Sequence, residues 1–216
     1  NKEKVNILIP DVLRESGDIE SEIFGTDADI IIGKATSHED ITDEVWSNCD
    51  AILAFDQIIY DKDLISKLTK CKVIVRVGVG YDNVDLLAAK NKDILVCNVP
   101  DYGTEEVADH TMGMLLSLLR GLPEYTRKVQ QRNYSRANNM PSRLRGKVLG
   151  IIGLGRIGIA TAMRAKAFGM KIVFYDPYIK DGVDKALNFI RVDTLQEIAE
   201  FSDVISIHTP LTSETH

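Results

Sequence analysis

The chain has 216 residues, 44% hydrophobic and 27% charged, with a formal net charge of −6. That is enough for one large domain or two small ones, and the wrong sign for a protein whose main partner is nucleic acid. No apolar run approaches the roughly 18 residues of a membrane span, and NKEK at the N-terminus leads straight into a strand rather than a signal peptide. Along the first hundred residues short apolar runs alternate with amphipathic stretches. Strands are predicted at Val5–Ile9, ended by Pro10, at Ala28–Ile32, stopped by Gly33, and at Ala51–Phe55, Lys72–Val77 and Ile94–Asn98. Short helices are predicted within Val12–Phe24, over Thr42–Ser47, over Asp61–Thr69, and over Val84–Lys90 with Asn83 as the cap. Strand–helix alternation of this kind predicts an α/β layer built on a parallel sheet.

Thr104 reads as the N-cap of a longer helix running to Arg120, with Glu105 and Glu106 at its positive end. Its second half, Met112–Leu119, is apolar on nearly all sides, which predicts burial between domains or subunits. Gly121 and Pro123 end it, and a second helix runs from Pro123 to about Arg132. From Glu124 to Lys147 the chain carries Arg127, Lys128, Arg132, Arg136, Arg143, Arg145 and Lys147 against one acid. A solvated face and contact with an acidic surface of a second subunit both fit this stretch.

The strongest signal is Val148–Pro177. Val148–Ile152 reads as a buried strand, Gly153, Gly155 and Gly158 form G-x-G-x-x-G, and Arg156–Phe168 has helical spacing up to Gly169. Lys171–Tyr175 is a second strand, closed by Asp176. This order is the dinucleotide-binding fingerprint. Gly153 permits the tight turn, Gly155 lets a pyrophosphate approach the backbone, and Gly158 allows close helix–strand packing. The helix N-terminus offers N–H groups to phosphate. Asp176, 18 residues after Gly158, is placed to accept from both ribose hydroxyls. No Arg or Lys follows it until Lys180, which favours NAD over NADP. Thr194–Phe201 is a further helix and Asp203–Ile207 a third strand ending in His208-Thr209-Pro210, which should face the cofactor. Three strands are half of a complete domain of this kind, residue 1 is Asn, and both ends read as cut, so a fragment is expected. The cysteines Cys49, Cys71 and Cys97 are odd in number and far apart in sequence, which excludes a disulfide framework and suits a reducing cytoplasm. Cys71 and Cys97 read as plain buried thiols.

The segments RVGVGYDNVDLLAAK (Arg76–Lys90), VCNVPDYGTEEVADHTMGMLL (Val96–Leu116), GKVLGIIGLGRIG (Gly146–Gly158), FYDPY (Phe174–Tyr178) and HTPLTSET (His208–Thr215) resemble the D-isomer-specific 2-hydroxyacid dehydrogenases. Within that family the branch that includes the C-terminal-binding-protein corepressors is most similar. The resemblance implies a flavodoxin-like substrate-binding domain at residues 1–100, linking and dimerisation helices at 101–147, and the N-terminal half of a Rossmann NAD-binding domain at 148–216. It implies that the loop Val77-Gly78-Val79-Gly80 presents backbone N–H groups to a substrate carboxylate, a role that suits a Gly-rich turn at a strand end. Arg76 would stand beside that carboxylate, although a surface arginine is an equally good reading of the residue itself.

The same resemblance places Val79 and Thr104 on the cofactor side of the cleft, Arg156 and Ile157 along the pyrophosphate, Asp176 on the adenosine ribose, His208, Thr209 and Pro210 at the cofactor border, and Thr215 near a phosphate or ribose. The family's catalytic Arg, Glu and His match no residue of this chain. His38, His110, His208 and His216 are not assigned their roles; His110 reads as a core or interface histidine. The expected activity of the parent protein is NAD-dependent interconversion of a small 2-keto acid and its D-2-hydroxy acid in a cytoplasmic homodimer, with residues 1–216 alone inactive. Two alternatives stay open: an NAD-sensing, corepressor-like dimer, and a dehydrogenase of another small anion such as phosphite.

Overall fold

A computed structural model describes residues 4–12, 17–132 and 141–216. The chain divides into two compact units, Asn1–Tyr102 with Pro210–His216, and Gly103–Thr209. Residues 210–216, read from the sequence as the end of the nucleotide domain, thus group with the first unit.

The first unit has strands β1 (Val5–Asp11), β2 (Ala28–Ala35), β3 (Ala51–Ala54), β4 (Val73–Arg76) and β5 (Leu95–Asn98), with helices α1 (Asp18–Phe24), α2 (Asp43–Asn48), α3 (Lys62–Lys67) and α4 (Leu86–Asn91) between them. The strand order is β2-β1-β3-β4-β5 and every pairing is parallel. This is the flavodoxin-like order expected from the sequence. Leu8, Ile52, Ile74 and Ala54 from the strands meet Trp46, Leu64 and Ile65 from the helices, and Leu68 just after α3, in one buried cluster.

Two strand ends differ from expectation. Pro10 does not end β1, nor does Gly33 end β2. The register passes from Ile9↔Ile32 to Asp11↔Ala35, so Gly33 and Lys34 together face Pro10. A proline has no N–H to donate, and a bulge opposite it removes the need for one. Lys34 takes the left-handed conformation, φ 51°. A Cβ on Gly33 would stand 2.7 Å from the Pro10 carbonyl oxygen. The bulge carries the chain on to Asp11, which is fully buried. The cap of α4 is also corrected. Asp85 accepts from Ala88 N–H at 2.9 Å, whereas Asn83 Nδ2 donates to the carbonyls of Phe55 and Ile58, each at 2.9 Å.

The second unit begins with α5 (Thr104–Arg120) and α6 (Leu122–Gln130). Gly103 occupies the N-cap position and Thr104 is the first helical residue, so the helix begins one place earlier than an N-cap at Thr104 would give. Within Met112–Leu119 only Met112 and Leu115 are buried; Met114 and Leu118 are 56% and 71% exposed. His110 is exposed as well, which corrects the core half of its reading as a core or interface histidine. The helix is therefore one-sided: Ala108, Met112 and Leu115 are its buried residues, and the two large side chains among them each contribute about 1.5–3 kcal/mol of apolar burial. The basic stretch does have an acidic partner, for Glu124 pairs with Arg127 and Lys128. Arg136 lies outside the described residues.

Beyond these helices come β6 (Val148–Ile152), α7 (Arg156–Ala167), β7 (Lys171–Tyr175), α8 (Val183–Leu187), β8 (Ile190–Arg191), α9 (Leu195–Phe201) and β9 (Val204–Ile207). The sheet order is β8-β7-β6-β9, all parallel. It has four strands, one more than expected. The two-residue β8 and the five-residue α8 leave no mark in the sequence because neither is long enough to show a period. Helices α5 and α7 cover one face through Met112, Leu115, Ala162 and Ala165 against Leu149, Ile151, Ile172 and Phe174. On the other face, Ile198 of α9 packs with Val173, Val192 and Ile152. No described helix is long and apolar enough to cross a membrane.

Candidate functional site

The β6–α7 turn is where local sequence and packing agree most closely. Gly153 has φ +89°, a conformation that strains any residue with a Cβ, and a Cβ there would lie 2.8 Å from the His208 carbonyl oxygen. A Cβ on Gly158 would stand 2.2 Å from the Gly153 carbonyl oxygen, so this glycine lets α7 rest on the end of β6. A Cβ on Gly155 would meet nothing within 4 Å. The space beside it is open, and no side chain caps α7. The turn is thus tight at Gly153 and Gly158 and clear at Gly155, which fits a pyrophosphate lying on backbone N–H groups. Arg156 and Ile157 form the first turn of α7, the former exposed and the latter half-buried.

Asp176 stands at the carboxyl end of β7. Its Oδ2 accepts from Leu154 N–H at 2.8 Å and its Oδ1 from Tyr178 N–H at 2.9 Å. These bonds fix the carboxylate between the glycine turn and the loop after β7, with lone pairs left on both oxygens. Strand β9 lies on the opposite side of β6 from β7, so strand order reverses at β6, the place where open α/β sheets bind ligands. His208 follows β9; its N–H donates to Ile152 O at 2.7 Å. Its Nε2 lies 2.9 Å from Ser206 Oγ, and burial pushes the imidazole below its usual pKa. Thr209 comes within 2.9 Å of where a Gly153 Cβ would be. Pro210 and Thr215 group with the other unit, where Thr215 Oγ1 accepts from Thr212 N–H and donates to Pro210 O.

In the first unit the loop Val77–Gly80 follows β4. Two of its N–H groups are already used: Val77 donates to Ala54 O at 2.7 Å and Gly78 to Arg76 O at 2.8 Å. Only those of Val79 and Gly80 donate to no described acceptor. The Arg76 guanidinium folds over Gly78, where a Cβ would sit 1.5 Å from Nη1. Nη1 donates to Val77 O at 3.1 Å, while Nε is buried without a partner. Asn98 Nδ2 braces the loop through Val79 O at 2.8 Å. An unpaired buried donor on a cation, beside two free amides, is a place for an anion.

Residues 112–216 match the family model described as D-isomer specific 2-hydroxyacid dehydrogenase, NAD binding domain. The chain is 36% identical over 211 residues to D-3-phosphoglycerate dehydrogenase of Methanocaldococcus jannaschii, covering 98% of this chain and 40% of that protein. The chain is thus similar to the D-isomer-specific 2-hydroxyacid dehydrogenases, whose NAD-binding domain its residues 112–216 match. It is also 39% identical over 204 residues to C-terminal-binding protein 1 of Caenorhabditis elegans, covering 91% of this chain and 28% of that protein. Among solved structures it resembles D-lactate dehydrogenase from Aquifex aeolicus complexed with NAD and lactic acid, with TM-score 0.89 and 32% identity, over 98% of this chain and 62% of that one. The chain thus spans less than half the length of the two curated relatives.

Three features of these regions escaped the sequence. Asp11 is fully buried and accepts from the N–H groups of Phe55, Gln57 and Ile58 at 2.9, 3.2 and 3.2 Å. Arg191 donates to the Asp176 carbonyl. Cys49 and Cys71 are neighbours, since the β3–β4 register Ala51↔Val73 runs back to them. The hydrogen bond to Cys71, with burial, pushes the Cys49 thiol up. Cys97, read as buried, is exposed.

Proposed function

We propose that the full-length protein is an NAD-dependent oxidoreductase that interconverts a small 2-keto acid and its D-2-hydroxy acid. The observation that carries this is the turn that is tight at Gly153 and Gly158, open at Gly155, and tied to Asp176 by Leu154 N–H. On this reading the pyrophosphate lies on the first N–H groups of α7, Arg156 and Ile157 flank it, and Asp176 accepts from the adenosine ribose. His208 and Thr209 border the dinucleotide. The bound nicotinamide supplies or accepts the hydride. The Val79 and Gly80 amides and the Arg76 guanidinium hold the substrate carboxylate, with the loop braced by Asn98. These residues contribute position and charge; none of residues 1–216 is assigned as proton donor to the keto oxygen. A homodimer in the cytoplasm is part of the same proposal, with the exposed Met114 and Leu118 of α5 in the contact.

The test is cofactor titration of full-length protein. Asp176→Ala removes a charged acceptor and should weaken NADH by roughly 1.5–3 kcal/mol. It also frees Leu154 N–H, which affects both dinucleotides alike, so the ratio is the readout. The preference for NADH over NADPH should narrow by at least about tenfold, or ~1.4 kcal/mol. Gly155→Val should weaken both equally. An unchanged ratio in Asp176→Ala would remove Asp176 from the ribose. Likeness to C-terminal-binding protein 1 favours a second reading, an NAD-sensing corepressor-like dimer, and failure of the full-length protein to turn over any small 2-keto acid would select it.

A further inference from the structure

Strand β8 is too short to be visible in the sequence, yet it brings a cation to the ribose end of the proposed cofactor site. Its register pairs Arg191 with Phe174, two residues before Asp176. Arg191 Nη2 donates to the Asp176 carbonyl at 3.3 Å and Nη1 to Asp181 Oδ1 at 3.2 Å. The arginine side chain is 26% exposed, whereas that of Asp181 is fully exposed. An ion pair with a freely solvated acid is weak and easily exchanged. Among the described residues no ion pair joins Arg191 to the Asp176 carboxylate, which accepts from the Leu154 and Tyr178 N–H groups. The guanidinium is therefore held at the edge of this pocket by one backbone carbonyl and one replaceable acid.

We propose that Arg191 is the cationic determinant of the adenosine-ribose pocket, and that with Asp176 it forms a latent site for a 2′-phosphorylated dinucleotide which the Asp176 carboxylate keeps closed. This rests on the NAD reading above. In the wild type the carboxylate accepts from the ribose hydroxyls and repels a 2′-phosphate, and Arg191 acts as a positioning residue through the Asp176 carbonyl. Without the carboxylate, the guanidinium exchanges Asp181 for phosphate, which its planar fork suits better than a lysine would. The absence of Arg and Lys from the turn just after Asp176 thus does not make the pocket free of cations. The cation arrives from 15 residues further on.

The experiment titrates NADH and NADPH against full-length wild type, Asp176→Ala, Asp176→Ala/Arg191→Gln and Asp176→Ala/Arg191→Lys, followed by cofactor fluorescence. Adding Arg191→Gln to Asp176→Ala should weaken NADPH by about tenfold, the scale of one charge-assisted contact, and NADH by less than about threefold. Glutamine keeps a donor for the Asp176 carbonyl, so a merely structural role would move both cofactors together. The lysine variant should retain part of the NADPH affinity, and added salt should weaken NADPH more than NADH in Asp176→Ala. Equal NADPH affinity with and without Arg191 would overturn the proposal while leaving the NAD reading intact. A wild type that binds neither dinucleotide would overturn both.

Discussion

Replacing Asp11 by alanine should destabilise the first unit by about 3–5 kcal/mol, the range for removing one side of a buried charged network. Asp11 is fully buried, and its two oxygens accept from three backbone N–H groups just after β3. The 2.9 Å bond from Phe55 is well formed, and a bond to a charged group contributes about 1.5–3 kcal/mol. The two 3.2 Å bonds share Oδ1 and are individually weaker. Ile58 is buried, so its N–H would find no water and cost about 1–3 kcal/mol. The N–H groups of Phe55 and Gln57, less deeply placed, can recover part of their loss from solvent. Asp11→Asn keeps one acceptor but turns an NH2 group toward a backbone donor, so it should lose roughly half as much. The chain's single tryptophan, Trp46, is fully buried in the same core, and urea unfolding of the full-length protein can be followed by its fluorescence. A loss below about 1 kcal/mol for Asp11→Ala, within the range of ordinary surface substitutions or little more, would refute this assignment.

His208 should titrate below the ordinary 6.5, because burial disfavours its charged form; imidazole proton shifts followed against pH would measure it, and a value at or above 6.5 would contradict the burial. A lowered native pKa means that the unfolded chain takes up the proton first as pH falls. The contribution is therefore fully present above about pH 6.5 and lost as pH falls through the folded value, and His208→Gln should remove that part of the pH dependence. Full-length protein should sediment as a dimer at micromolar concentration, and Met114→Glu with Leu118→Glu should shift it to monomer. A wild-type monomer would refute the dimer.

Much of the cofactor cradle was legible because its parts are local. Gly153, Gly155 and Gly158 lie within six residues, and their tasks depend on a strand and helix that carry their own periodicity. The glycine distances bear out the tight turn and the close helix–strand packing. The Val77–Gly80 loop was legible only in outline. That Gly78 N–H turns back to Arg76 O, leaving two free amides instead of four, depends on how the loop closes over β4.

By itself, the sequence determined the order of the strands and helices other than α8 and β8, the parallel α/β class, the glycine turn and the acid after β7, because hydrophobic period and turn chemistry act over a few residues. Only the tertiary structure decided the rest. It brought Arg191 to Asp176 and Cys49 to Cys71 through strand register. It buried Asp11 beyond a proline by placing a bulge on the neighbouring strand. It also made the second half of α5 one-sided, although Met112–Leu119 is apolar on nearly all sides in sequence. Each of these depends on which strands become neighbours and in what register, a choice settled by packing over the whole sheet and not by any stretch of the chain read alone.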